Sequence, residues 1–174
     1  MQKNKQLLLN YLKSQHTLYL ATYDSRPWTS TVFYAVDNDF TLYFISEPTT
    51  RHSEAIQKNK FVSCAIADSN QVVTDKKVGA QIEGITSEVK NKNKLKIIIS
   101  MWHKKNPGFE DIINLPNMIE KIIKGRFYQI KPTLIKFFNE KLYGDEGFEI
   151  FKFQYSLSHC KDLLATEAVD IMVW

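Results

Sequence analysis

Three β-strand patterns joined by short turns constrain the fold of this chain more than any other feature. The first covers residues 17–23, where Leu18 and Leu20 alternate with smaller or more polar neighbours. The second covers residues 28–36 and the third covers residues 40–46, with only a few turn residues between them. Short connections of this kind join neighbouring antiparallel strands, so the sequence predicts an antiparallel meander.

The rest of the chain adds further strands, and a glycine interrupts one of them. A glycine within a strand, here Gly84, predicts a bulge or the close approach of another group. A proline separates the last two strand segments. The additional strand patterns lie at residues 61–67, 77–89, 126–130 and 133–139.

Helical patterns are inserted between the strands rather than alternating with them. Leu95, Ile98, Ile99 and Trp102 follow the spacing of one helix face. There is no βαβ rhythm and no GxGxxG motif, which argues against a Rossmann domain. We therefore expect a mainly β fold with inserted helices (α+β), built on an antiparallel barrel. The other expected helices lie at residues 3–14, 50–58, 109–124 (interrupted by Pro116) and 163–172.

The amino-acid composition of the chain limits the classes of protein to which it can belong. The chain has 174 residues, of which 44% are hydrophobic and 24% charged, as expected for one globular domain. Its net charge of +4 favours anionic ligands but is too small to indicate nucleic acid. The N-terminal apolar run at residues 7–9 is too short for a signal peptide or a membrane span. Cys64 and Cys160 form no CxxC pair, so we expect a reduced, cytoplasmic protein with no membrane partner.

The junction between the third strand and the following helix carries the strongest chemical signal. Thr49 and Thr50 offer hydroxyl donors, Arg51 offers a planar guanidinium suited to phosphate, and His52 offers one more donor. The first backbone N–H groups of a helix also lack acceptors and carry partial positive charge. The segment therefore predicts a phosphate site. A simple helix cap followed by an exposed Arg-His pair is the alternative interpretation.

The order of these motifs resembles the pyridoxamine-phosphate-oxidase-like FMN-binding split-barrel family, over roughly residues 5–140. The resemblance implies a split β-barrel homodimer with FMN at the subunit interface. In that family the residues after the third strand hold the phosphate. The second strand runs along the flavin ring, and a glutamine of the fifth strand lies near the ring or the ribityl chain. The matching residues here are Thr29, Ser30, Thr31, Val32, Thr49, Thr50, Arg51, His52 and Gln81.

The sequence also departs from the family's namesake enzyme. The second strand has no second basic pair, and the C-terminal substrate signature is not found, so oxidation of vitamin B6 is not implied. We expect an FMN flavoprotein with oxidoreductase activity on an unidentified small molecule. The alternatives are a non-catalytic module that binds or stores a flavin, a deazaflavin or haem, and an interaction protein with an empty site. We divide the chain into a flavin-binding domain, residues 1–150, and an extension, residues 151–174.

The sequence predicts no catalytic residue and no metal site. The histidines His16, His52, His103 and His159 are scattered and lack metal-ligand spacing. His159 stands beside Cys160, but adjacent strand residues point to opposite faces and would not share one haem or metal ligand position.

Overall fold

The computed structural model describes residues 2–145 and 147–154. Within these residues the chain forms five helices and seven strands. The helices are α1 (Gln2–Ser14), α2 (Arg51–Lys58), α3 (Lys92–Lys105), α4 (Leu115–Ile119) and α5 (Glu140–Tyr143). The strands are β1 (Thr17–Tyr23), β2 (Pro27–Val36), β3 (Leu42–Ser46), β4 (Phe61–Ala67), β5 (Val78–Glu88), β6 (Arg126–Asn139) and β7 (Phe148–Lys152).

Six of the strands close into an antiparallel barrel. The predicted meander is confirmed, because β1 pairs with β2 and β2 pairs with β3. The ring then runs from β3 to β6, β5 and β4, and returns to β1. Strand β7 adds to the outside edge of this ring beside β6. The expected barrel with inserted helices is therefore confirmed.

The barrel interior is filled by alternate residues of its strands. Leu18, Leu20, Ile66 and Ile82 are each at most 2% exposed, while their neighbours along the strands face outward. Cys64 belongs to the same core, and its burial raises the pKa of the thiol to about 12. Burying a leucine or isoleucine side chain, as at Leu18 or Ile66, stabilises a fold by about 1.5–3 kcal/mol.

A second core forms outside the barrel, between α3 and the β2–β3 hairpin. The buried residues of α3 are Leu95, Ile98, Ile99 and Trp102, the four that the spacing predicts. They pack with residues of β2, β3 and β6, and the Trp102 and Phe127 rings meet edge to face at 5.7 Å. This helix therefore covers the outer face of the hairpin, whereas outward residues of β1 and β4 such as Tyr19 and Phe61 are exposed in the described chain.

The expected bulge at Gly84 is confirmed. Glu83 pairs with Leu134 while Gly84 pairs with Pro132, so Thr133 is the extra residue on β6. Residues 126–139 consequently form one continuous strand across the proline, where two segments were expected. A Cβ atom at Gly84 would lie 2.8 Å from the Lys131 carbonyl oxygen, so only glycine allows this approach.

Two expected element bounds are wrong. The third strand begins at Leu42 rather than at residue 40, because Phe40 has a φ of +65° in the preceding turn. A helix over residues 109–124 is not formed, and only α4 is helical there. The Asn114 side chain caps α4, whose first turn holds Pro116, so the helix starts late. It ends just before Lys121, whose φ is +57°.

The division of the chain stays a prediction. The boundary proposed after residue 150 falls inside β7, which pairs with β6. Residues 155–174, with the expected helix at 163–172 and the His159–Cys160 pair, lie outside the described residues. Among the residues that are described, no helix combines the length and the apolar composition needed to cross a membrane.

We expect Gly84→Ala to lower the free energy of unfolding by about 1–3 kcal/mol, because the added methyl group meets a backbone carbonyl that cannot move aside. Urea unfolding measures this loss. Gly125→Ala is the matched control, since its Cβ would meet side-chain atoms of Ile45 at 3.0 and 3.1 Å and no backbone atom. Equal losses in the two variants would contradict the importance of the bulge.

Candidate functional site

The barrel is split between β2 and β3. Pairing of these strands extends only from Tyr34–Phe44 to Val36–Leu42, whereas β1 pairs with β2 as far as Pro27. The first half of β2 therefore has an open edge. After Ser46 the chain leaves the sheet and enters α2, which packs on β1 and β2. The N-terminus of α2 and the open edge of β2 thus lie side by side.

The backbone of the open edge offers unused hydrogen-bonding groups. The Tyr34 N–H donates to the His16 carbonyl at 3.2 Å, so the backbone groups of even-numbered β2 residues face β1. Alternate residues of an antiparallel strand bond to opposite neighbours. The N–H and C=O groups of Thr29 and Thr31 therefore point away from β1, toward the open side.

The first turn of α2 has free N–H groups. Thr50 is the N-cap, but its side chain makes no capping hydrogen bond to the helix backbone. Its hydroxyl instead lies 2.9 Å from the Glu47 carbonyl oxygen. The first intrahelical bond is donated by the N–H of Glu54 to the Thr50 carbonyl at 2.9 Å. Within the described chain, the N–H groups of the preceding three residues remain for a ligand.

His52 turns toward other residues of the junction. Its Nε2 lies 2.7 Å from Ser46 Oγ and 3.2 Å from Thr50 Oγ1. Burial lowers the pKa of His52 below its ordinary value of 6.5, so the ring is neutral at pH 7. A neutral imidazole in this position orients the two hydroxyls and supplies no charge.

Arg51 supplies the positive charge of the site. Its side chain is exposed, and its guanidinium carbon lies 4.1 Å from the centre of the Trp28 ring. The ion pairs among residues 2–145 and 147–154 are Lys58–Asp24 and Lys76–Asp145, so Arg51 has no carboxylate partner there. The stacked guanidinium is held at the open edge of β2 with its N–H groups available.

The predicted residues of β2 divide between two faces. Thr29 and Thr31 pair with Ala21 and Tyr19, so their side chains share the exposed outer face. Ser30 and Val32 pair with the core leucines of β1, and both are half-buried. The Ser30 hydroxyl is buried without a hydrogen-bond partner in the described chain. Only the backbone of β2 and its inward side chains thus face the barrel split.

Gln81 and Thr49 stand apart from this cluster. Gln81 lies on the outer face of β5, in one row with Ala65, Tyr19 and Thr31 across the neighbouring strands. Three strand spacings separate it from β2, a distance of about 14 Å. Thr49 is exposed in the turn before α2. A single chain therefore brings Thr50, Arg51 and His52 together with β2, but not with Gln81.

Two residues of the junction were not assigned to the site from sequence. Ser46, the last residue of β3, bonds to His52 and lies 3.0 Å from Thr50 Oγ1. Ser53 is fully buried, and its Oγ lies 2.9 Å from Thr50 Oγ1. The sequence signal that could have identified them is a hydroxyl-bearing residue at each end of the junction. Such residues commonly form hydrogen bonds to nearby polar groups at helix starts.

No group of residues suited to hold a metal ion occurs in the described part of the chain. His103, half-buried at the end of α3, has its Nε2 2.6 Å from the Ile113 carbonyl oxygen. This bond orients the ring toward the protein backbone.

Comparison with known proteins gives a likeness in structure. No protein-family model matches the sequence, and no curated protein matches it significantly. A pyridoxamine 5'-phosphate oxidase-like protein from Listeria innocua superposes with a TM-score of 0.58 and 18% identity, covering 77% of this chain and 97% of the other. HutZ, a heme storage protein from Vibrio cholerae, superposes with a TM-score of 0.59 and 15% identity, covering 84% and 92%.

A conserved protein from Mycobacterium tuberculosis has a TM-score of 0.66 at 16% identity, covering 87% of this chain and 92% of the other. At these identities the likeness establishes the fold. The chain has the antiparallel split-barrel fold of pyridoxamine 5'-phosphate oxidase-like proteins, which confirms the resemblance seen in the sequence.

We expect acidification to destabilise the protein partly through His52. The folded state resists protonation of this ring. The neutral ring's contribution to the free energy of unfolding is therefore complete above pH 6.5 and is lost as the pH falls below that value. Because the ring is half-buried, the effect is a fraction of the roughly 1.4 kcal/mol per pH unit of a fully shielded group. Urea unfolding of His52→Gln between pH 7.5 and pH 5 should show a shallower dependence than the unaltered protein. His16→Gln, which removes an exposed imidazole, is the control, and an unchanged slope in His52→Gln would refute this role.

Proposed function

We propose that this pyridoxamine 5'-phosphate oxidase-like split barrel binds FMN and holds its phosphate at the N-terminus of α2. One observation carries the proposal. Arg51 has no carboxylate partner in the described chain, and it lies beside an uncapped helix start at the open edge of β2. A cation and several free N–H groups at one point form a site for a dianion.

The phosphate would contact the first turn of α2 and the Arg51 guanidinium. A helix N-terminus carries about half a positive charge, and a guanidinium can donate two parallel hydrogen bonds to phosphate. Thr50 and Ser46 add hydroxyls whose orientation is fixed by His52. Thr49, exposed in the preceding turn, would complete the phosphate contacts.

The flavin ring would lie along β2. Thr29 and Thr31 present free backbone donors and acceptors at the open edge, which suits the polar rim of a flavin. The unpartnered hydroxyl of Ser30 is a further donor on the same stretch. Bound FMN would supply hydride or electron transfer, and the residues named here would bind and orient it. We therefore propose oxidoreductase activity on a small molecule.

Haem is the competing ligand, because similar structures include haem-binding proteins. Haem iron requires an axial ligand, often histidine. His52 and His103 both have Nε2 within hydrogen-bond distance of protein atoms, and His16 is exposed at the start of β1. His52 and His103 are therefore poorly placed as axial ligands, and the anion site at the start of α2 is the reason to prefer FMN over haem.

We further propose a homodimer that packs through the open outer face of the barrel. Exposed aromatic side chains surround small residues there. Phe61 is 67% exposed and Phe33 60%, while Ala65 and Ala21 form the flat centre. Uncovered apolar surface of this kind is typical of an interface, and a second copy would cover it. Gln81 lies on the same face and would reach the cofactor region only through this dimer.

A cytoplasmic location remains part of the proposal. Cys64 is a free thiol, as expected in a reducing compartment.

FMN titration followed by flavin fluorescence tests the site. Arg51→Ala should raise the dissociation constant about 10- to 150-fold, because losing one charge-assisted contact costs about 1.5–3 kcal/mol. Lys58→Ala is the matched control, since it removes a cation from the other end of α2 and should change the affinity little. Arg51→Lys should give an intermediate value.

Two results would overturn the assignment. Equal FMN affinity in Arg51→Ala and the unaltered protein would remove Arg51 from the site. A Soret band on titration with haemin, together with no quenching of FMN fluorescence, would favour the haem alternative.

The dimer is tested separately by analytical ultracentrifugation. Ala65→Arg places a charged side chain at the centre of the outer face and should shift the sedimentation coefficient to that of a monomer. Val73→Arg is the control, because Val73 is 86% exposed in the loop between β4 and β5. A dimer in both variants would show that the subunits meet through another surface.

A further inference from the structure

A cavity lies away from the split, where the C-terminal ends of α1 and α3 meet the second half of β2. Its volume is about 400 Å³, within the range of small-molecule sites. Its apolar wall is formed by the half-buried Met101 and by Val36, which is 6% exposed, while Leu12 borders the cavity with 0% exposure. The ammonium-bearing residues Lys13, Lys104 and Lys105 also line it. The proposed FMN site uses the first half of β2, so the two sites share no residue.

The charge of this cavity is unbalanced. Asp37 is the one acidic residue among those lining it. Its carboxylate already accepts bonds from the backbone N–H groups of Asp39 and Thr41 at 2.9 Å and from the Tyr43 hydroxyl at 2.8 Å. Three lysines therefore line the cavity against one carboxylate, which already accepts three hydrogen bonds.

Lys105 is the most informative of the three cations. It is half-buried, and its ammonium donates to the Lys13 carbonyl at 2.7 Å without a carboxylate partner in the described chain. That bond satisfies one carbonyl at the end of α1 and one of three ammonium protons. Lys13 donates to the Asn38 side chain at 2.6 Å, and Lys104 is exposed at the rim. A half-buried ammonium held only by neutral groups is stabilised by an incoming anion.

The geometry also limits the charge of the ligand. Residues at the C-terminal ends of α1 and α3 border this region, and these ends carry partial negative charge. These ends oppose any anion and offset part of the attraction of the lysines, so a single carboxylate is the anionic group that the lysines are expected to hold. The apolar wall requires that the rest of the ligand be apolar.

We propose that this cavity binds a small amphipathic carboxylate. Its apolar body packs on Met101, on Val36 and on the methylene chains of the lysines, and its carboxylate lies among Lys13, Lys104 and Lys105. The site is independent of flavin binding, and it gives the protein a second ligand class.

Isothermal titration calorimetry with octanoate, below its micelle-forming concentration, tests the proposal. Octanoate should bind saturably with one site per chain. Octanamide has the same shape without the charge and should bind at least about tenfold more weakly. Acetate has the charge without the apolar body and should show no saturation. Equal binding of octanoate and octanamide, or no binding of either, would overturn the proposal.

Variants locate the site. Lys105→Gln and the exposed Lys104→Gln should each weaken octanoate binding about tenfold. Met101→Trp should fill the cavity and abolish binding. FMN affinity should stay unchanged in all three, which also shows that they are folded. Lys96→Gln removes an exposed cation from the same helix and serves as the control. An equal loss in Lys96→Gln would mean that general electrostatic attraction, not this cavity, binds the anion.

Discussion

The pairing of β3 with β6 is the interaction on which the rest of the structure depends. All five residues of β3 pair with β6, while only three of them also pair with β2. This pairing closes the barrel and carries β3 away from the first half of β2. The open edge and the start of α2 are thus consequences of barrel closure, because the short β3 cannot pair with both β2 and β6 along their whole length. A candidate site arises where the backbone of the sheet is left unpaired.

Most of the fold can be predicted from local sequence patterns. The wrong predictions concern elements whose bounds are set by contacts distant in sequence or by helix caps. Alternation along β1 and β4 and the helical spacing of α3 are properties of a few consecutive residues, so the sequence predicts them well. Gly84 is informative because only glycine allows its contact with Lys131. The closing β3–β6 pair joins residues far apart in sequence, and no local pattern specifies it. The apolar stretch at 109–124 resembles a helix, but Asn114 and Pro116 confine the helix to one short turn.

The candidate site likewise combines features that the local sequence predicts with features that depend on contacts distant in sequence. Hydroxyls and a cation at a helix start can be identified from sequence, which is why Thr50 and Arg51 were candidates. The stacking of Arg51 on Trp28 joins two elements separated in the chain and depends on the barrel. His52 illustrates the limit most clearly, because its residue type indicates a phosphate donor while its burial indicates a neutral ring bonded to Ser46. Residue type gives the available chemistry, and packing decides which atoms remain available.

The two proposed sites use the same backbone electrostatics in opposite ways. At the start of α2, free N–H groups and the helix dipole add to the charge of Arg51, so the attraction grows with the charge of the ligand. At the C-terminal ends of α1 and α3, the helix dipoles weaken the attraction of the lysines for an anion. One N–H group of the Lys105 ammonium also donates a hydrogen bond to a backbone carbonyl. The balance there favours one negative charge and an apolar remainder. In these proposals helix polarity adds to the cationic charge beside the first half of β2 and opposes it beside the second half, so the two ligands are not expected to compete for one position.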